Sequence, residues 1–379
     1  MERIKVMERS DWLDWLRMIA VLLVMIAHFI GATTSDKIDL SPEFGSIASL
    51  QPILSLKDVN FIHVFVSQLT HGFSEGASGV CLFFLVTGFL IPSMLEKYTR
   101  TQFLLNRFFR IYPALAVVML LMCAVRYYVL HMAINGNAIF ENTVLLLPIQ
   151  QLMTGVLWTL PIEIYFYLLC FVVGKFKTIS QLFGLQLGLA ALASLAALAH
   201  HTWSLRILSF ILYINLGSWV YFFSSVKLSY RKIVIFLSLA LLIFSTTLVL
   251  CQKIYPLLVR DMGYDRPIFF YWYAIFCAAF CLRKFFAKLN VVCQLIADCC
   301  YPLYLMHWFF GGTVMILLKR EAGISNSYIL LLSAIIVVTL LAKLIHHSVE
   351  KPAIAFAKSL NKKLRPELMA ISEPILQTD

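Results

Sequence analysis

The first long apolar stretch of the chain, WLRMIAVLLVMIAHFIGA, carries two ionisable residues, Arg17 and His28. They stand eleven residues apart, which on a helix is about 16 Å of rise and close to three whole turns, so both project from one face. A charged or titratable side chain in such a span is costly to desolvate, and it normally faces a polar cavity or a partner. An imidazole in that position can take and return a proton near neutral pH. The spacing puts Arg17 at the membrane edge and His28 near mid-depth. A snorkelling arginine and a packed histidine would give the same letters, so the pair needs chemically matched companions.

Four other stretches supply them. NRFFRIYPAL places Arg107 and Arg110 at i and i+3, hence on one helical face. Two guanidinium groups there suit phosphate recognition, each able to donate two parallel charge-assisted bonds. The general excess of basic residues on one membrane side is the competing explanation. Pro113 is expected in the first turn of the next helix. WTLPIEIYFYLL buries Glu163 in a span, where a carboxylate must pair with a cation or hold its proton. Pro161, two residues earlier, is expected to open that helix locally. YPLYLMHWF adds His307, either a second active-site group or a packing residue. HHSVEKP adds Glu350, expected as an ion-pair partner at the inner surface. SGVCLFFLVTGFLIP mixes Ser78, Gly79, Thr87 and Gly88 with aromatics and reads as close helix packing.

The elements that must position these residues follow from composition. Of 379 residues, 61% are hydrophobic and 13% charged, and mean hydropathy is +0.84. That excludes an ordinary soluble domain, which could not hide so much apolar surface from water. The expected fold is all-α, a polytopic membrane bundle of about ten transmembrane helices. Spans are expected near 16–33, 78–95, 111–130, 157–174, 181–199, 207–223, 233–250, 267–282, 299–318 and 327–345. The first keeps Arg17 and His28 and lacks a small-residue cleavage pattern, so it is not expected to be a cleaved signal. Threading these spans with the N-terminus inside puts 22 of the 31 Lys and Arg on the cytoplasmic side and 9 outside. Both termini are therefore expected in the cytoplasm, and the net charge of +11 reads as topology, with no nucleic-acid partner. Residues 1–11 form a short tail, 12–356 the membrane domain and 357–379 a basic tail.

The connections add two expectations. The outer loop from Thr33 to Ala77 is long enough to act as a lid or substrate element, and NFIHVFVSQLTHGF within it has the pattern of an interfacial amphipathic segment. A second outer loop runs from about Arg126 to Val156. The nine cysteines show neither metal-site nor disulfide spacing and read as small buried residues. Cys81 and Cys300 are the two placed where a reactive thiol would be useful. No metal is expected.

Taken in order, LDWLRMIAVLLVMIAHF, GVCLFFLVTGFL, RFFRIYP, WTLPIEIYFYLL, YPLYLMH and VEKP resemble the acyltransferase 3 family of bacterial integral membrane acyltransferases, across residues 12 to 356. Two positions depart from the family pattern: Cys81 stands where an acidic or polar residue is common after Gly-Val, and Thr87 replaces the frequent Ser of Ser-Gly-Phe. The resemblance implies a multi-pass protein of the cell inner membrane. It would transfer an acyl group, usually acetyl, from cytoplasmic acyl-CoA to a hydroxyl of a cell-surface carbohydrate or its lipid-linked precursor. Some members carry a fused extracytoplasmic transfer domain; none is expected after residue 350 here, which leaves direct transfer or a separate extracytoplasmic transferase as partner.

The residues suit that chemistry. Attack of a hydroxyl on a thioester needs proton removal, and an imidazole is well matched to it. His28 is the expected base, with Glu163 as its orienter or as a ligand of the substrate hydroxyl. Alternatively His28 carries the acyl group as an acyl-imidazole. Arg17, Arg107 and Arg110 would hold the nucleotide and pyrophosphate of acetyl-CoA or another acyl-CoA, Arg17 serving catalysis as well. Trp158, Tyr167 and His307 are the expected substrate-facing residues. A secondary transporter of a polar small molecule using buried His and Glu is the alternative, although paired broken helices in matching halves are not evident. A non-enzymatic membrane scaffold is a third. The acceptor, the acyl chain and the oligomeric state stay open.

Overall fold

A computed structural model describes residues 11–35, 40–45, 52–72, 74–146, 153–226, 228–255, 266–286, 288 and 291–372. These residues are helical, with short connections and no strand among them. Eight helices are long and apolar enough to cross a membrane, and two shorter apolar ones, Thr159–Val173 and Pro267–Cys281, fall where the fourth and eighth spans are expected. Helices satisfy every backbone polar group internally, which is what a lipid environment demands.

The site is built by α1 (Asp11–Ile26), α4 (Glu75–Lys97), α5 (Arg100–Tyr128), α7 (Thr159–Val173), α9 (Thr202–Ser225) and α13 (Cys300–Glu321). Between them lie α2 (Ser41–Phe44), α3 (Leu56–Leu69), α6 (Gly136–Val144), α8 (Ile179–Leu198), α10 (Tyr230–Ile254), α11 (Arg266–Cys281) and α12 (Val291–Asp298). They are followed by α14 (Ser327–Ile345) and α15 (Lys351–Ser372). Helix α4 is central because its small residues admit neighbouring backbones. A Cβ at Gly79 would strike Ala20 O of α1, one at Gly88 would strike Ile214 O of α9, and one at Gly217 would strike Leu85 O in return. The packing expected of the small residues in SGVCLFFLVTGFLIP is therefore what they do.

Three local expectations are corrected. NRFFR is no connection between spans: α5 runs unbroken from Arg100, and Pro113 sits well inside it. A helix tolerates an interior proline when packing on both sides offsets the lost bond. Pro161 does not open α7, because that helix begins only at Thr159, and in a first turn the missing N–H costs nothing. The last span does not end near 345. It passes through a π-helical turn, His346–Glu350, and continues as α15 to Ser372. The outer amphipathic segment forms α3, with Val59 and Val66 buried and Phe61, Phe65 and Leu69 exposed.

The first span also contains a π-helical turn, Ala27–Ala32, directly after α1. Single π turns inside α-helices gather at functional sites. Here one holds His28, and the other holds His346 and Glu350.

Candidate active site

Helices α1, α4, α5, α7 and α13 enclose a cavity of about 140 Å³ at the level of the basic residues. It is the half that the distribution of Lys and Arg leads one to expect on the cytoplasmic, or inner, side. Arg17, Arg107, Arg110, Glu163 and Tyr167 all line it. Glu163 Oε1 accepts from Thr87 Oγ1 at 3.1 Å and also from the Tyr167 hydroxyl. Arg107 lies over the Tyr167 ring, 5.6 Å from its centroid, so carboxylate, phenol and guanidinium form a chain along one wall.

The three arginines differ in what holds them. Arg110 pairs with Glu350, which is fully buried and whose Oε2 accepts from His346 Nδ1 at 2.6 Å. Arg17 pairs with buried Asp14 at 3.1 Å. Arg107 makes no ion pair among the described residues, and its Nε is buried without a hydrogen-bond partner there. A guanidinium at a cavity wall with no carboxylate partner is a ready donor to an anionic or carbonyl group.

Beyond this cavity is a histidine pair. Tyr304 lines the cavity; its hydroxyl meets Thr159 Oγ1 at 2.7 Å and donates to Val156 O at 2.9 Å. The backbone carbonyl of Tyr304 in turn faces His307 Nδ1 at 2.8 Å, with Leu303 O at 3.2 Å. Carbonyl oxygens only accept, so His307 carries its proton on Nδ1 and presents Nε2 as an acceptor. That Nε2 is 3.1 Å from His28 Nδ1, which is also 2.9 Å from Val24 O. Both neighbours of His28 Nδ1 accept, so the network assigns the proton to that nitrogen. His28 Nε2 is left with a lone pair and no partner among the described residues. Fully buried His307 thus fixes the tautomer of half-buried His28, and Trp308 braces the His28 ring at 5.2 Å between centroids.

Arg17 and His28 face the same helix, as their spacing predicts. Arg17 shares the cavity wall with Cys300, and His28 meets His307 seven residues further along α13. Glu163 is bonded to Thr87 and Tyr167 rather than to His28, so the partner of His28 is His307. Trp158 is turned toward Arg206, 4.5 Å from its ring, and Phe210. Glu350 is an ion-pair partner as expected, but fully buried rather than at the inner surface. Cys300 lines the cavity, whereas Cys81 is buried off it; the nine cysteines are all free.

Thr87, Tyr301 and Tyr304, which line the cavity, and His346, which holds Glu350, were not legible as site residues, since hydroxyls and rings in a span look like packing. Only Thr87 carried a signal, because it stands at the place of a frequent serine and keeps the hydroxyl. Among the described residues no three His, Cys, Asp or Glu side chains converge as a metal site.

Comparison with curated proteins and with solved structures returns no match. The sequence model of the family described as Acyltransferase domain, Acyl_transf_3, matches residues 10–347, which include the cavity, the histidine pair and nearly all of the bundle. The chain belongs to the acyltransferase 3 family and is a helical membrane acyltransferase.

Proposed function

We propose that this protein moves an acyl group, acetyl in the simplest case, from cytoplasmic acyl-CoA to a hydroxyl of a cell-surface carbohydrate or its lipid-linked precursor, at the inner membrane. The observation that carries the reading is His28, held by His307 and Val24 O so that its Nε2 lone pair is free. In direct transfer, Nε2 removes the proton of the acceptor hydroxyl while the oxygen attacks the thioester carbon. The C–S bond breaks, and the proton held on His28 goes to the departing CoA thiolate. In the two-step form, Nε2 attacks the thioester carbon and the C–S bond breaks, releasing CoA as its thiolate; the acceptor hydroxyl then attacks the acyl-imidazolium, the C–N bond breaks, and the hydroxyl proton passes to the freed Nε2 and balances the thiolate. In either form positive charge grows on the imidazole, and Nδ1–H is already directed at two acceptors that stabilise it.

The inner cavity suits the thiol arm of the donor that leads to the thioester. Its wall joins an unpaired guanidinium, Arg107, to the Glu163–Tyr167 bond, and Tyr304 separates it from His307 by one helical turn. Arg17 and Arg110, already neutralised by Asp14 and Glu350, position the wall. The acyl group passes straight to the acceptor or to a separate extracytoplasmic transferase. The test is release of free CoA from acetyl-CoA by membranes containing the protein, compared with His28→Ala membranes. Release that depends on His28 and on an added glycan fraction is expected; no release above empty membranes would remove the proposal, as a transporter would consume no acetyl-CoA.

A further inference from the structure

A second and larger cavity, about 1060 Å³, opens at the inner end of the bundle between the end of α4, the start of α5, the α7–α8 connection and α15. Lys97, Arg100, Lys175, Lys177, Lys358 and Lys362 line it, against a single carboxylate, Glu96. Glu96 is engaged by the Tyr221 hydroxyl at 3.0 Å. An excess of basic residues on the cytoplasmic side explains that each cation lies on this side. It does not explain why three separate chain segments bring six of them around one cavity. Like charges gathered this way repel one another and destabilise the fold unless anions offset them.

We propose that this cleft binds the phosphorylated nucleotide of the acyl donor, its ribose 3′-phosphate and diphosphate, so that the small cavity receives only the acyl end of the thiol arm. The inference rests on the acyl-CoA reading above. Size supports the division, since about 140 Å³ is small beside about 1060 Å³. Helix fields support it too: α5 and α8 both begin at the cleft, with Thr99 and Gln181 on its wall. Each start is closed by a capping box, so these helices supply positive field rather than free N–H donors. Tyr98 offers a ring for a base. Arg100 and Arg107 lie seven residues apart on α5, hence on one face and about 10 Å apart along the axis, which directs an arm from the cleft to the small cavity. An anionic lipid headgroup has similar charge, but its acyl chains need an apolar wall, and Leu95 and Val173 are the only aliphatic side chains lining the cleft.

The experiment uses the full chain in neutral-lipid nanodiscs, titrated with adenosine 3′,5′-bisphosphate, CoA and 3′-dephospho-CoA. The charge-reversed pairs K175E/K177E and K358E/K362E should each lose about tenfold or more in affinity for the bisphosphate and for CoA, and less for dephospho-CoA. The neutral pair K175Q/K177Q, which removes charge with little risk to folding, should lose a smaller factor in the same order. Unchanged bisphosphate affinity in folded variants overturns the proposal. So does a loss confined to binding of phosphatidylglycerol vesicles, which would assign the cleft to lipid. Wild-type acetyl-CoA turnover is measured alongside. Turnover with an unaltered KM in all three variants refutes the cleft alone, whereas no wild-type turnover refutes the acyltransfer chemistry and leaves the bisphosphate titration to judge the anion site.

Discussion

His307→Phe separates a residue that does chemistry from one that orients it. The substitution keeps a flat ring in a fully buried position and deletes the acceptor 3.1 Å from His28 Nδ1. Val24 O remains at 2.9 Å from the same nitrogen, so the productive tautomer of His28 loses one of two supports. One neutral hydrogen bond is worth about 0.5–1.5 kcal/mol, which corresponds to roughly a 2- to 13-fold fall in rate. Removing a general base outright costs about 10²- to 10⁴-fold. His307→Phe should therefore retain activity well above His28→Ala, with kcat lowered and KM for acyl-CoA little changed. His307→Gln, whose side-chain oxygen can still accept, should recover part of the loss. The assay is initial-rate CoA release from acetyl-CoA at matched protein levels in membranes. A His307→Phe rate as low as that of His28→Ala would refute the division of roles and make His307 a participant in the chemistry.

Arg110→Ala and Arg107→Ala should part company. The first leaves fully buried Glu350 with His346 as its remaining partner, a loss of about 3–5 kcal/mol that thermal unfolding would register; the second should spare stability and weaken acyl-CoA binding by about 1.5–3 kcal/mol. Equal melting points for the two variants would contradict this. Thr87→Val should lower activity by about 1.5–3 kcal/mol in kcat/KM through the lost bond to Glu163, while Thr87→Ser restores it. Glu43, in the outer connection between the first two spans, is pushed up to about 7 by burial, against a donated Gly155 N–H and nearby Arg126. Folding thus favours its protonated form. Stability is fully present below about pH 4.5 and falls as pH rises toward 7, by about 3 kcal/mol at most, and Glu43→Gln should flatten that part of the melting-temperature profile. A reporter fused after the last residue should be active in its cytoplasmic form only; external activity would reverse the topology drawn from the 22 and 9 basic residues.

The bundle was legible because apolar runs of span length leave helices as the solution. Candidate residues stood out where their chemistry was conspicuous: Arg17, His28, Arg107, Arg110 and Glu163 are ionisable groups in or beside spans, and the structure gives each a polar partner or the wall of the same cavity. What spacing could not convey is pairing between distant segments. His28 and Glu163 are each other's obvious partner on a list of titratable residues, yet His28 meets His307, 279 residues away, and Glu163 meets Thr87 and Tyr167. Helix ends were misjudged at Pro113 and Pro161, since a proline marks a helix start or interior according to packing that its neighbours in sequence do not reveal. The basic cleft was hidden for the same reason, because its lysines belong to segments that only the fold assembles.

The most direct test is the acyl-transfer rate of a well-inserted His28→Ala protein, measured together with its affinity for acyl-CoA. Transfer should fall by about 10²-fold or more while donor affinity stays near that of the wild type, because the imidazole acts on the reacting carbon and the nucleotide is held elsewhere. Wild-type amounts of acylated product from that variant would contradict the role given to His28 and the mechanism built on it.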